Sequence, residues 1–181
     1  MEDNKLIVPA PLFKVIVSRL CHQLIEYHRS FENTLLIGLQ PRGIYLANRI
    51  QAELAQILST DIRLGYLDTT FHRDDFRRRD TPLTASRTHI PFVLEDQNVV
   101  LIDDVLYTGR TVRAALDAMT TFGRPRKVEL LALVNRRYSR HIPIEADYVG
   151  RTVNTLDSQR VVVTWQEKEN EDGIWLTTKS E

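Results

Sequence analysis

The segment VVLIDDVLYTGRT, residues 99–111, constrains the fold of this chain more than any other stretch. Its apolar beginning is typical of a buried strand, and after a short turn a helical pattern runs over about residues 108–122. Two neighbouring carboxylates, Asp103 and Asp104, stand between the strand and the turn. Two adjacent negative charges do not stabilise the end of a buried strand, so we expect them to bind a ligand.

The same succession of strand and helix recurs along the chain. A helical pattern over about residues 10–29 precedes the apolar run TLLIGL (34–39), a second helical pattern and a strand within DIRLGYLDTT. Further strands are expected in KVELLALVN, ADYVG and RVVVTW. This order predicts one α/β domain over residues 1–181, with a mostly parallel twisted sheet flanked by helices. In such sheets ligands bind at the carboxyl ends of the strands, which is where IDDVLYTGRT lies.

Composition limits what the protein can bind and in which compartment it is expected. The 24 lysine and arginine residues match 24 aspartate and glutamate residues, so any binding to nucleic acid needs a local basic patch. The single cysteine, Cys21, excludes an internal disulfide framework and fits a reducing compartment. MEDNKLIVPA is too polar and short for a signal peptide, and no run approaches the roughly 18 apolar residues of a membrane span. We therefore expect a cytoplasmic protein that does not enter a membrane.

The turn after the acidic pair has the composition of an anion site. Thr108, Gly109, Arg110 and Thr111 lead into a helix N-terminus, whose unpaired N–H groups and dipole favour phosphate. Carboxylates accept hydrogen bonds from sugar hydroxyls and help to hold Mg²⁺, so the whole string indicates a ribose 5-phosphate site. For any single residue, a helix cap or a plain turn is the alternative. A P-loop is excluded because the chain lacks G-x-x-x-x-G-K-[ST].

This segment resembles the phosphoribosyl-pyrophosphate (PRPP) signature of the type I phosphoribosyltransferases. The resemblance implies that Asp103 and Asp104 bind the ribose 2′- and 3′-hydroxyls, take part in catalysis and help to hold the Mg²⁺ that accompanies PRPP. It also implies that the loop after them binds the 5-phosphate. The residues of that loop are Val105, Leu106, Tyr107, Thr108, Gly109, Arg110 and Thr111.

Two other segments resemble the parts of that family that bind pyrophosphate. In QPRG (40–43) the resemblance gives Arg42 the role of a bidentate cation, although the family often has a basic residue where Gln40 stands. The polar segment 72–90 resembles the mobile hood that closes over PRPP, and Arg73 is its candidate catalytic contact. The candidate substrate-binding residues of the first segment are Gln40, Pro41, Arg42 and Gly43.

The expected base is a pyrimidine. Purine-salvage members of the family usually carry a third acid where this chain has Tyr107, and a pyrimidine has no imidazole ring to contact there. GLQPRGIYLA, LDTTFHRDDF, DDVLYTGRTVRAALDA and IPIEADYVGRTV together are similar to a bacterial branch of the family that makes UMP and pyrophosphate from uracil and PRPP. The base is expected near SQRVVV, with Val161 and Val162 as apolar walls. No general base is evident.

Members of that branch also bind the leader mRNA of the pyrimidine operon when UMP is bound, and so cause transcription attenuation. The helical pattern over residues 10–29 carries polar residues every four positions, which share one face, and NRRYSRH adds further cations. Glu145 departs from the arginine that RNA-binding members tend to have there, and a carboxylate would repel phosphate. The candidate RNA-binding residues are Lys14, Ser18, Arg19, His22, Arg136, Arg137, Arg140, His141 and Arg151.

Two alternatives stay open at this point. The chain could be an RNA-binding nucleotide sensor with vestigial catalysis, or a phosphoribosyltransferase that never meets RNA and uses another base. The resemblance also implies a homodimer or homotetramer, which the sequence neither shows nor excludes. The spacing of Cys21, His22 and His28 matches no zinc pattern, and Trp165 and Trp175 are expected to pack in the core or a hairpin.

Overall fold

The computed structural model of the chain describes residues 3–72, 86–156 and 158–178. Five strands form a parallel sheet in the spatial order β3-β2-β4-β5-β6. This confirms the predicted α/β fold with a mostly parallel sheet. The strands are β2 (Thr34–Leu39), β3 (Leu64–Leu67), β4 (Asn98–Leu106), β5 (Lys127–Arg137) and β6 (Tyr148–Asn154).

Helices cover both faces of this sheet, as the strand-helix succession predicts. On one face α1 (Ala10–His28) and α2 (Gly43–Leu58) pack through apolar residues at helical spacing, and every residue of β2 is buried. On the other face α3 (Arg110–Met119) packs through Val112, Ala115 and Ala118. Short 3₁₀ turns lie at Thr70–His72 and Thr120–Phe122.

A second, three-stranded antiparallel sheet was not expected. It contains β1 (Asp3–Pro9), β7 (Gln159–Thr164) and β8 (Gly173–Thr178) in the order β1-β8-β7, with the short helix α4 (Gln166–Glu169) between β7 and β8. The sequence predicted only β7, because β1 is a short segment whose partner lies at the other end of the chain. Trp165 is fully buried beneath this sheet, which agrees with its expected core position.

The order of the strands determines where a ligand binds. From β2 the chain proceeds to β3 on one side, while β4 lies on the other side of β2. The crevice between the carboxyl ends of β2 and β4 is therefore the point at which the strand order reverses, and such points are the usual ligand sites of open α/β sheets. Residues 40–43 and the acidic pair both lie at this crevice.

A polar network lies at the opposite end of the sheet. The ring of His28 lies 2.8 Å from a carboxylate oxygen of Glu129, 3.0 Å from the Thr34 hydroxyl and 3.2 Å from the Tyr148 hydroxyl. Burial lowers the pKa of His28, and the neighbouring Glu129 opposes that shift. Glu129 also binds Lys127 at 2.6 Å. Among the described residues, no helix has the length and apolar character needed to cross a bilayer.

Candidate functional site

The loop after β2 lies directly against the end of β4. A Cβ atom on Gly43 would lie 2.5 Å from the carbonyl oxygen of Ile102 and 3.1 Å from the Cα atom of Asp103. Both neighbours are backbone atoms that cannot move aside, so this approach requires glycine. The peptide bond between Gln40 and Pro41 is cis. The structure thus brings together the two segments to which the sequence analysis assigned PRPP contacts.

Backbone hydrogen bonds orient the acidic pair. The carboxylate of Asp103 accepts a 2.9 Å hydrogen bond from the amide of Asp104, whose own carboxylate accepts one of 2.8 Å from the amide of Val105. The side chains of both aspartates are largely buried. Burial raises the pKa of Asp104, while the guanidinium of Arg42, 3.3 Å away, acts in the opposite direction.

Arg42 connects the two sheets. Its guanidinium pairs with Asp104 at 3.3 Å and with Glu169 at 3.2 Å, and it also donates to the carbonyl oxygen of Val163 in β7. Sequence reasoning assigned this arginine to pyrophosphate, and in the structure protein groups hold it at the crevice. These three contacts use three of the five N–H donors of the guanidinium, so Arg42 can contact pyrophosphate without giving up a partner.

The turn between β4 and α3 forms one wall of a cavity of about 210 Å³. Gly109 has φ +89°, a left-handed conformation that favours glycine, and α3 begins at the next residue. The N-terminal amides of α3 therefore lie beside the end of β4. Arg110 is not among the lining residues, which are Asp103, Val105, Leu106, Tyr107, Thr108, Gly109, Thr111 and Val112.

The segment between β5 and β6 holds this turn from the other side. The amides of His141 and Ile142 donate to the carbonyl oxygen of Thr108 at 3.0 and 3.2 Å. The guanidinium of Arg140 donates to the carbonyl oxygens of Leu106, at 3.2 Å, and of Tyr107. Sequence reasoning placed Arg140 on an RNA surface, whereas the structure directs its guanidinium into the protein.

Arg136 also differs from its expected position. It is only 6% exposed, its guanidinium lies 3.8 Å from the centre of the Tyr107 ring, and it donates to Thr155 and to the carbonyl oxygen of Gln159. It therefore connects the turn after β4 to β7 and is not an exposed cation that RNA could reach. Tyr107, at the position taken to select the base, is held by this contact.

Val161 and Val162 do not form two walls of one pocket. Val161 packs against the main core, whereas Val162 is 41% exposed. Neighbouring residues of a strand face opposite sides, so no more than one of them can contact a given base. Arg73 lies outside the described residues, as does most of the expected hood.

The remaining RNA candidates fall into two groups. Lys14, Ser18 and His22 line an open groove of about 960 Å³ between α1 and α2. Arg19, on the same helix, donates to the carbonyl oxygen of Gly150, next to the exposed Arg151 in β6. In the second group, exposed Arg137 borders a separate cavity that Arg136, Arg140 and Glu145 also line, and His141 is exposed nearby.

The acidic segment EKENED (167–172) supplies carboxylate partners to two arginines. Glu169 pairs with Arg42 at the crevice, and Glu167 and Asp172 pair with Arg49 at 2.6 and 2.7 Å. The hydrogen bonds with Arg49 lower the pKa of Glu167. Burial alone would raise the pKa of Asp172, but its hydrogen bonds, including those with Arg49, outweigh burial and lower it. The sequence contained no spacing signal that would have identified these partners.

The acidic pair fits the ligand preferences of Mg²⁺. Among the described residues no group of three His, Cys, Asp or Glu side chains forms a dedicated metal cage. Mg²⁺ commonly binds through one or two carboxylates, substrate phosphates and water; Asp103 lines the cavity, and the neighbouring Asp104 supplies a second carboxylate at the crevice. The donor set therefore suits a metal that arrives with pyrophosphate.

Comparison with known proteins gives a consistent result. Residues 4–169 match the model of the phosphoribosyl transferase domain family. The chain is 38% identical to "Bifunctional protein pyrR" of Enterococcus faecalis, over 98% of this chain and 99% of that protein. It is 43% identical to "Bifunctional protein PyrR" of Actinobacillus pleuropneumoniae, over 90% of each. The hypoxanthine phosphoribosyltransferase of Trypanosoma cruzi superposes with a TM-score of 0.72 over 97% of both chains, and its 14% identity supports the fold alone.

Proposed function

The chain belongs to the phosphoribosyltransferase family and, within it, to the PyrR proteins, and from this premise we propose that it converts uracil and PRPP to UMP and pyrophosphate. One observation carries the proposal: a buried acidic pair lies beside a glycine-containing turn and a helix N-terminus, at the point where the strand order reverses. Diol acceptors next to amide donors are what a ribose 5-phosphate requires.

The residues of the crevice have different roles in the proposed reaction. Asp103 and Asp104 bind the ribose hydroxyls, and the turn after them binds the 5-phosphate, so that the anomeric carbon is fixed for displacement. Arg42 neutralises charge on the departing pyrophosphate, together with Arg73 from the hood. Mg²⁺ held by the acidic pair would add positive charge beside the same leaving group.

An assay with each nucleobase tests the transferase. The protein is incubated with PRPP, Mg²⁺ and uracil, cytosine, hypoxanthine or guanine, and the nucleotide products are separated by chromatography. We expect UMP from uracil and little product from the purines, because Tyr107 stands where a purine enzyme carries an acid. Absence of UMP would refute the catalytic claim and favour a nucleotide sensor with vestigial catalysis. Product from another base alone would favour the transferase without an RNA role.

A second activity, UMP-dependent binding of the pyrimidine-operon leader mRNA, is proposed on a separate observation. The groove face of α1 carries Lys14, Ser18 and His22, and Arg19 links that helix to the strand that carries Arg151. This surface lies apart from the crevice, and its cations can contact phosphates. Glu53, Glu167 and Asp172 also line the groove, and Arg49 pairs with the last two. Arg137 and His141 are the exposed candidates of the second group, whereas the internal contacts of Arg136 and Arg140 argue against a direct role for them in RNA binding.

A gel-shift titration tests the RNA role. The labelled leader of the protein's own operon is titrated at low salt with and without UMP, beside a scrambled hairpin of the same length. We expect a shift that UMP strengthens, and the absence of a shift at low salt would refute RNA binding.

We also propose that the protein is a homodimer or homotetramer, which light scattering after size exclusion tests. We propose a cytoplasmic location, where PRPP and nascent transcripts occur.

A further inference from the structure

The guanidinium of Arg140 is surrounded by neutral acceptors. It donates to the carbonyl oxygens of Ile144 and Arg136 at 3.0 and 3.1 Å, and also to the side-chain oxygen of Asn135. Its other two acceptors are the carbonyl oxygens of Leu106 and Tyr107, which belong to the turn between β4 and α3. One side chain therefore joins the β5–β6 segment to the turn that lines the cavity.

These contacts determine which way the turn presents its amides. In a trans peptide the C=O and the following N–H point in opposite directions. Because Arg140 holds the carbonyl of Tyr107, the amide of Thr108 points away from the β5–β6 segment. The amides of His141 and Ile142 hold the carbonyl of Thr108, which turns the amide of Gly109 the same way. The cavity is lined by the end of β4, the turn and the start of α3, with no residue of the β5–β6 segment among its lining.

The contacts also leave a positive charge beside the turn. In the part of the chain that the structure describes, Arg140 forms no direct ion pair with a carboxylate, and Glu145 acts on it only through a longer-range attraction. Neutral carbonyls orient a cation without cancelling its charge. In the partly desolvated region behind the turn, that charge favours an anion bound on the other side.

We propose that Arg140 is a positioning residue of the 5-phosphate site: it orients the amides of the turn and places a positive charge behind them. This deepens the transferase proposal and rests on it for the identity of the phosphate ligand. The donors of Arg140 bind protein acceptors, and its side chain also borders the cavity that Arg137 and Glu145 line.

The test compares ligands with and without phosphate. Arg140→Gln, Arg140→Lys and the control Arg126→Gln, at an exposed arginine before β5, are titrated calorimetrically with UMP, uridine and ribose 5-phosphate. Loss of hydrogen bonds to a charged group predicts that Arg140→Gln weakens UMP and ribose 5-phosphate about 10-fold to 100-fold and leaves uridine within about twofold. Arg140→Lys keeps the positive charge but lacks the several donors of a guanidinium, so its affinity for UMP should lie between those of Arg140→Gln and the wild type. The control should match the wild type.

Steady-state kinetics provide a second test, because a residue that only stabilises the fold would not change the KM for PRPP selectively. We expect the KM for PRPP to rise in Arg140→Gln while kcat and the KM for uracil change little, because the phosphate does not react. Thermal melts show whether each variant is folded; if Arg140→Gln does not fold, Arg140→Lys carries the test.

Three results would overturn the proposal. These are unchanged phosphate affinity in a folded variant, an equal loss of UMP and uridine affinity, and a wild-type protein that binds neither UMP nor ribose 5-phosphate. A wild-type protein that binds ribose 5-phosphate but forms no UMP would refute the transferase and leave the positioning role supported. The base-free ligand thus distinguishes the failure of one proposal from the failure of the other.

Discussion

Replacing Asp104 with asparagine tests the acidic pair most directly. The change removes one negative charge and keeps the size of the side chain. In the wild type this carboxylate is largely buried, accepts the amide of Val105 at 2.8 Å and pairs with Arg42 at 3.3 Å. Arg42 keeps its contacts with Glu169 and with the carbonyl oxygen of Val163 after the substitution. The perturbation is therefore confined to the crevice.

Two opposing effects make the expected change in stability small. The variant loses the ion pair with Arg42 but also no longer buries a charge, and for such pairs the desolvation cost offsets much of the attraction. We expect the free energy of unfolding to change by no more than about 1 kcal/mol. Catalysis should respond strongly, because a carboxylate accepting a sugar hydroxyl contributes about 1.5–3 kcal/mol, or about a 10-fold to 150-fold fall in kcat/KM.

The assay follows UMP formation at saturating uracil while PRPP is varied, with thermal melts on the same samples. Asp61→Asn, at an exposed aspartate after α2, is the matched control and should behave as the wild type. Kinetics of Asp104→Asn equal to those of the control would mean that the sugar binds elsewhere. Loss of cooperative melting would instead assign Asp104 to the stability of the fold.

Three further predictions concern other parts of the chain. Gly43→Ala should lower kcat/KM for PRPP at least about tenfold in a steady-state assay, since its Cβ would lie 2.5 Å from a backbone oxygen; unchanged kinetics would show that the loop adapts. Because burial lowers the pKa of His28, stability should fall as the pH drops below 6.5, where the unfolded histidine gains a proton; melts from pH 7.5 to 5.5 should show a weaker fall in His28→Gln, and parallel curves would contradict this. Glu145→Arg should tighten leader RNA in gel shifts and steepen its salt dependence by about one unit, whereas an unchanged slope would place that position away from RNA.

Local patterns predicted most of the large sheet and the helices. TLLIGL and NVVLID are apolar throughout because both faces of their strands are covered, and the helical repeat of residues 10–29 reproduces α1 within a residue. The small sheet was predicted only in part. Its strands β1 and β8 contain apolar runs of only three residues, LIV (6–8) and IWL (174–176), and each pairs with a partner from the other end of the chain, which no local pattern indicates.

The same limit applies to the arginines of the site. A sequence gives every arginine the same charge, and only the fold decides whether its donors meet solvent, a ligand or the protein's own carbonyls. Arg136 and Arg140 stand in the same basic run as Arg137, yet the first two face inward and the third is exposed. The inward pair holds Tyr107 and its carbonyl, which belong to the turn that the sequence predicts to bind phosphate. A cationic run beside a phosphate loop can therefore shape that loop, and exposure determined from the fold must precede any assignment of such a run to RNA.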